Sequence, residues 1–344
     1  MARRAPENPI ITPAHVAPSR ADFEVVGVFN PAAIAHGDHV VLLLRVAEAP
    51  KVAPNEVAAP VWERGEIVVK RWRRDAPGLD LSDARAISID GATWLTSISH
   101  LRVARSRDGV HFEIDDRPTF APAHPLEAFG VEDPRLTFVA GEYIMNYTAV
   151  SDAGIATGIA TSRDLRNWER RGIAFAPNNR DVTIFPEQIA GKYAALHRPM
   201  PDGIGQPAIW YATSWDLVRW GDHRFVAGRR AGAWDDLKIG GGAVPFRVDR
   251  GWLAIYHGVT REPLTYSLGA LLLDEHDPSR VLARSREPIL KPEAPYEMRG
   301  FFGNVVFTCG VVPSGDVVKV YYGAADGVTA LAELSLADIM RGLA

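Results

Sequence analysis

The chain has 344 residues, of which 47% are hydrophobic and 23% charged, and its formal net charge is −4. That is the composition of a soluble globular protein with ample apolar material for a core, and it is not basic enough to make nucleic acid a main partner. The single cysteine, Cys309, excludes an intrachain disulfide and is expected to be a buried, inert thiol.

No apolar run is long enough for a membrane span, and the N-terminus lacks the apolar core of a secretory signal, so a cytoplasmic location is expected. Strand signals then dominate from one end to the other. Residues 40–44, 66–70, 143–145, 252–256 and 317–321 are short β-branched or aromatic runs, mostly preceded by Gly or Asp. The basic run Lys70-Arg71-Trp72-Arg73-Arg74 and the pair Arg229-Arg230 read as solvated hairpin or loop. Gly240-Gly241-Gly242 reads as a turn, because no strand-loop-helix pattern makes it a phosphate loop. Helical periodicity is nearly absent except at the tail, residues 335–340, where Ser335 can act as N-cap.

One pattern recurs five times: an extended segment, a glycine turn, then a strand ending in polar or aromatic groups. The turn glycines are Gly37, Gly141, Gly191, Gly251 and Gly315, at intervals of 104, 50, 60 and 64 residues. Between copies lies a Ser-x-Asp turn with a following aromatic: Ser106, Asp108 and Phe112; Ser162, Asp164 and Trp168; Ser214, Asp216 and Trp220. Such spacing predicts a five-bladed β-propeller spanning residues 1–344 as one all-β domain, with a short C-terminal helix. The long first interval reads as an insertion in the first blade. The rival fold, a pair of β-sandwiches, would not show the repeat.

Repetition brings equivalent positions together. Arg45, Tyr147, His197-Arg198, Tyr256-His257 and Asp326 end equivalent strands, and Asn30, Asp133, Glu187 and Asn304 lie in the segments leading into them. Taken alone, Asp133 beside Arg135 reads as half of a structural ion pair; a fixed carboxylate there can also be a catalytic acid. Cations (Arg45, Arg135, Arg180, Arg198, Lys238) outnumber the carboxylates that can be placed with them, Asp133 and Asp326. One acid among anion-binding groups suggests glycosyl transfer to phosphate, whereas activation of water ordinarily needs a second carboxylate. Tyr147 and Tyr256 are candidates to stack on a sugar, and Trp252 to pack between blades. Asp235 and Asp236 read as solvated loop acids. The ten histidines lack metal-ligand spacing, so no metal is expected.

These motifs resemble glycoside hydrolase family 130, the β-mannoside phosphorylases and related β-mannosidases. The resemblance rests on Phe29-Asn30-Pro31, Leu44-Arg45-Val46, Gly130-Val131-Glu132-Asp133-Pro134-Arg135, Asn179-Arg180-Asp181, His197-Arg198-Pro199, Lys238-Ile239-Gly240-Gly241-Gly242, Tyr256-His257-Gly258, Gly303-Asn304 and Tyr322-Gly323-Ala324-Ala325-Asp326. It implies a propeller with one catalytic acid, Asp133, and attack by inorganic phosphate with inversion, no other cofactor being required. It further implies phosphate contacts from Arg180, Arg198, Lys238, His257 and Tyr266, and mannoside contacts from Asn30, Arg45, Arg135 and Asp326. Tyr147 and His197 are added to the mannoside set by their positions in the repeat. Residues 23–29 and 300–304 look most like the β-1,2-mannobiose and oligomannan branch. A homodimer is a further expectation of the resemblance. Two alternatives stay open: an inverting β-mannosidase using water, and a glycan-binding propeller without catalysis.

Overall fold

The computed structural model describes residues 2–343 and is all-β apart from short helical turns, the longest being Leu336–Arg341. That helix is the expected C-terminal one, and Ser335 caps it by accepting from Asp338 N. A second short helix, Pro295–Met298, has no counterpart in the sequence-based expectation. Among the described residues no helix is long and apolar enough to cross a membrane.

The strands fall into five antiparallel groups of the same design. The first holds Phe23–His36, His39–Pro50, Ile98–Ser106 and the short Glu113–Ile114; the second Gly130–Val139, Glu142–Ser151, Gly154–Ser162 and Glu169–Phe175. These two are joined into one eight-stranded sheet by a single parallel pairing of Gly130 with Ser99. The third holds Asn179–Ile184, Tyr193–Pro199, Ile209–Ser214 and Trp220–Ala227. The fourth runs from Lys238–Gly241 and Phe246–Val248 through Gly251–Thr260 and Thr265–Leu273 to Val281–Arg284. In the fifth, Val306–Ser314, Val317–Ala324 and Val328–Ser335 are completed by Arg3–Arg4 from the other end of the chain.

Each repeat glycine turns the hairpin between the first and second strands of its group, with φ of +61° at Gly37, +85° at Gly141, +77° at Gly191, +141° at Gly251 and +58° at Gly315. A side chain there would be strained, so the repeat is visible in sequence because the turn demands glycine. The Ser-x-Asp turns lie between third and fourth strands, where each serine Oγ and aspartate Oδ1 accept backbone N–H groups. Residues 51–97 form the insertion in the first group and carry two hairpins, Glu56–Glu63 with Glu66–Arg73 and Ala86–Ile89 with Ala92–Leu95.

Second strands such as Gly251–Thr260 are buried along nearly their whole length, because each is covered on both faces by neighbouring groups. The apolar clusters occupy the seams. Leu43 and Leu101 meet Val131 and Leu136; Ile144 and Ile159 meet Val182 and Ile184; Leu196 and Tyr211 meet Trp252 and Leu271; Leu253 and Ile255 meet Val306 and Val320. A fifth cluster joins Leu42 and Leu44 of the first group to Val312 and Leu331 of the last. Trp252 is fully buried and edge-on to Phe185 at 5.1 Å across the third seam, the packing role expected of it. Cys309 is also buried, and burial raises its thiol well above the ordinary range, as befits an inert position.

The glycine triplet is not a turn. Lys238–Gly241 is a strand, and a Cβ would lie 2.3 Å from Asp181 Oδ2 at Gly240, 2.5 Å from Asp181 O at Gly241 and 2.7 Å from Ile255 O at Gly242. The glycines are there for close approach of backbones.

Candidate active site

Three first strands carry the same irregularity. The pairing slips between Phe29 and Ala32, between Glu132 and Arg135, and between Arg180 and Thr183. Inside each slip an Asn or Asp takes a left-handed backbone: Asn30 at φ +49°, Asp133 at +45° and Asp181 at +57°. Short polar side chains tolerate that region, and Pro31 and Pro134, which cannot donate to the ladder, favour the bulge after two of them. Bulges re-aim side chains, and these turn polar groups into one central space. The third member is Asp181, not Glu187, which instead pairs with Arg247 at 3.0 Å on the surface. Spacing carried part of that signal: Asp181 precedes its turn glycine by 191 − 181 = 10 residues and Glu187 by 191 − 187 = 4, and the former is nearer the 141 − 133 = 8 of Asp133.

The space is a cavity of about 340 Å³. Nine expected residues line it: Asn30, Arg45, Asp133, Arg180, Arg198, Lys238, His257, Tyr266 and Asp326. Sequence reasoning missed Asp83, Arg85, Glu132, Asp181, Phe29 and Phe302, which line it too. The expected excess of cations is therefore corrected: five carboxylates (Asp83, Glu132, Asp133, Asp181, Asp326) face five cations (Arg45, Arg85, Arg180, Arg198, Lys238).

What matters is how they pair. Asp133 Oδ1 accepts from Asn30 Nδ2 and from Arg45 Nη1, both at 2.9 Å, while Oδ2 takes no hydrogen bond from any described residue. Arg45 also reaches Glu132 Oε1 at 2.7 Å and Ser99 Oγ at 3.0 Å. Burial raises the Glu132 carboxyl above its usual value, with Arg45 opposing and Asp133 adding to the rise. Burial likewise pushes Asp326 up to about 6, against the pull of Arg45 and with the Asp133 charge in support. Glu132 and Asp326 thus ionise less readily than they would in water.

Elsewhere in the cavity Arg198 donates from Nε to Asp181 Oδ2 at 2.6 Å and its Nη2 lies 2.5 Å from the same oxygen. Burial would raise Asp181, yet Arg198, His257, Arg135 and Arg180 together hold it well below the carboxylate range. Burial holds His257 down to about 3, so its imidazole is neutral at pH 7; its Nδ1 has no hydrogen-bond partner. Arg180 and Lys238 have no carboxylate within 4.0 Å among the described residues, and Arg180 Nε is buried without a partner. Lys238 Nζ stands 4.9 Å from the Tyr266 ring centroid, and Tyr266 stacks on His257 at 6.1 Å. Unpaired, fixed cations of this kind suit an anion.

Three expected residues do not line the cavity. Arg135 is 1% exposed and lies beneath it, donating to Gly242 O at 2.9 Å, Gly241 O at 3.1 Å and Asp133 O at 3.0 Å. Tyr147 points into the seam and donates to Glu127 Oε1 at 2.7 Å. His197 is buried between Asn179 and His223 and stacked on Phe175 at 4.6 Å. Tyr256 likewise packs on Trp234, its hydroxyl on Asp235, rather than facing a sugar. Asp235 corrects a further expectation: it is fully buried and ion-paired to Arg230 and Arg284, not a solvated loop acid.

An acid with one free oxygen, sharing a sugar-sized cavity with unpaired cations, marks a glycoside-processing enzyme. The family model for glycoside hydrolase family 130, described as beta-1,4-mannooligosaccharide phosphorylase, matches residues 93–344. The beta-1,2-mannobiose phosphorylase of Listeria innocua is 45% identical, covering 99% of this chain and 98% of its own. The 1,2-beta-oligomannan phosphorylase of Thermoanaerobacter sp. is 38% identical over 87% of this chain and 99% of its own. The solved Listeria innocua beta-1,2-mannobiose phosphorylase, in complex with beta-1,2-mannobiose, superposes with a TM-score of 0.95 at 44% identity, covering 99% of this chain and 98% of its own. The chain belongs to glycoside hydrolase family 130.

Proposed function

We propose that this protein catalyses the inverting phosphorolysis of β-1,2-linked mannosides, giving α-mannose 1-phosphate and a shortened acceptor. The observation that carries the reading is the pair of cavity cations, Arg180 and Lys238, left without a carboxylate in the space shared with Asp133. With Oδ1 tethered, Asp133 Oδ2 carries the proton to the glycosidic oxygen. As the C1–O bond breaks, a phosphate oxygen bonds to C1 from the opposite face, and Asp133 regains a proton afterwards. Asn30, Arg45 and Asp326 hold the mannose. Arg180, Arg198, Lys238, the neutral His257 and Tyr266 hold phosphate, so that attack begins from a fixed geometry. The β-1,2 linkage is supported by two relatives matched over 99% and 87% of this chain, although the family description names a β-1,4 substrate.

The same reading takes the five strand groups as the blades of one closed propeller with the cavity at its centre. Its support is the set of five seam clusters, the last of which joins the fifth group to the first. Water as nucleophile is the weaker reading: of the other acids at the cavity, Asp83, Glu132 and Asp181 are ion-paired to Arg85, Arg45 and Arg198, Asp326 is assigned to the mannose, and Asp235 is locked by Arg230, Arg284 and Tyr256 outside it. Incubation with β-1,2-mannobiose with and without phosphate separates the two. Mannose release that needs phosphate supports phosphorolysis, and equal release in both tubes rejects it.

A further inference from the structure

Three buried carboxylates outside the cavity share one arrangement. Glu127 (2% exposed), Asp235 (0%) and Glu297 (0%) each lie in the segment entering the first strand of a group. Each accepts the hydroxyl of a tyrosine on the second strand: Tyr147 at 2.7 Å, Tyr256 at 2.8 Å and Tyr322 at 2.6 Å. Each also accepts an arginine from the fourth strand: Arg170 at 2.9 Å, Arg284 at 2.6 Å and Arg4 at 2.8 Å. The tyrosine crosses the third strand at its smallest residues. Its cross-strand neighbours are Gly158, Gly269 and Ala330, and a Cβ would lie 2.4 Å from Tyr147 Cζ at Gly158 and 2.7 Å from Tyr256 Cε1 at Gly269.

Each clamp leads along the chain into a different part of the cavity. Glu127 precedes Asp133, Asp235 precedes Lys238, and the carbonyl of Glu297 accepts Val305 N at 3.1 Å, anchoring the segment that brings Phe301, Phe302 and Val305 to the cavity. We infer that these carboxylate–tyrosine–arginine clamps are positioning devices, each setting one function of the site: the Glu127 clamp the acid, the Asp235 clamp the phosphate cation, and the Glu297 clamp, closed by the N-terminal Arg4, the sugar-facing rim. A buried carboxylate with several hydrogen bonds is a stiff anchor, and small displacements of catalytic groups are costly. The assignment of functions rests on the phosphorolysis reading; the clamping itself does not.

Arg170→Met, Arg284→Met and Arg4→Met test it, with Arg→Lys at each position as rescue. Arg170→Met lowers kcat on the order of ten- to a hundredfold with KM little changed. Arg284→Met raises the phosphate KM, and Arg4→Met raises the mannobiose KM, by on the order of tenfold each. The lysine variants recover part of each loss. If all three lower Tm while folded protein keeps wild-type kcat and both KM values, the clamps only hold the fold and the inference fails. Should the Met variants not fold, Tyr147→Phe, Tyr256→Phe and Tyr322→Phe remove one hydroxyl each without uncovering a charge and are read the same way. If the wild-type enzyme forms no mannose 1-phosphate, the functional reading fails separately. Amide hydrogen exchange then decides the clamps: faster exchange confined to residues 130–133, 238–241 and 299–305 of the matching variant supports them, and uniform exchange rejects them.

Discussion

Arg45 Nη1 lies 2.9 Å from Asp133 Oδ1, and its Nη2 lies 2.7 Å from Glu132 Oε1, so one guanidinium holds two adjacent side chains that an undistorted strand would send to opposite faces. The bulge at Asp133 makes this possible. It leaves Oδ2 as the oxygen available to a substrate.

Asp133→Asn keeps the acceptor oxygen and removes the acid. Turnover should fall by roughly 10²–10⁴-fold, the usual worth of a positioned acid, while mannobiose binding by calorimetry stays near wild type. Turnover that survives would return Asp133 to a structural role.

Arg180→Met and Lys238→Met each remove a cation that no carboxylate engages. A charge-assisted hydrogen bond contributes about 1.5–3 kcal/mol, so the phosphate KM should rise roughly ten- to a hundredfold. The mannobiose KM should move little. Initial rates at varied phosphate and mannobiose check both halves.

Gly240→Ala places a methyl group 2.3 Å from Asp181 Oδ2, 2.5 Å from His257 Cε1 and 2.7 Å from Arg198 Nε. Overpacking of this kind costs about 1–3 kcal/mol. The variant should melt at lower temperature and bind phosphate poorly, with mannobiose affinity preserved. A rise in both KM values alike would contradict the separation of the two subsites.

Asp326 supplies a pH signature. Its carboxyl is pushed from 3.8 up to about 6, so the folded state binds its proton more tightly than the unfolded chain. That contribution to stability is complete below pH 3.8 and is lost as pH rises through about 6. Asp326→Asn should therefore gain Tm relative to wild type between pH 4.5 and 7.5, by about 1–2 kcal/mol equivalent after solvent screening. A difference that does not change with pH would reject the raised value.

The recurrence was legible because the turns require it. Glycine at positive φ in five equivalent hairpins, and Ser-x-Asp caps between outer strands, are local demands that leave a direct mark on sequence. The site was legible where a bulge residue or its neighbour faces the cavity, as with Asn30, Arg45 and Asp133. It was misread where the direction of a side chain depends on register. The slip between Glu132 and Arg135 changes the alternation, which put Arg135 under the cavity instead of in it. Tyr147 and Tyr256 did recur, but they hydrogen-bond to Glu127 and Asp235 in the seams, as Tyr322 does to Glu297, instead of stacking on a sugar. Asp83 and Arg85 were invisible because they arrive on an insertion outside the repeat.

The most direct measurement is phosphorus NMR, with proton NMR alongside to follow free mannose, of the enzyme with β-1,2-mannobiose and inorganic phosphate. Phosphorolysis by Asp133 and a bound phosphate yields α-mannose 1-phosphate in equal amount with free mannose, from the first turnovers onward. Mannose appearing without any sugar phosphate, or the β-anomer as first product, would contradict it.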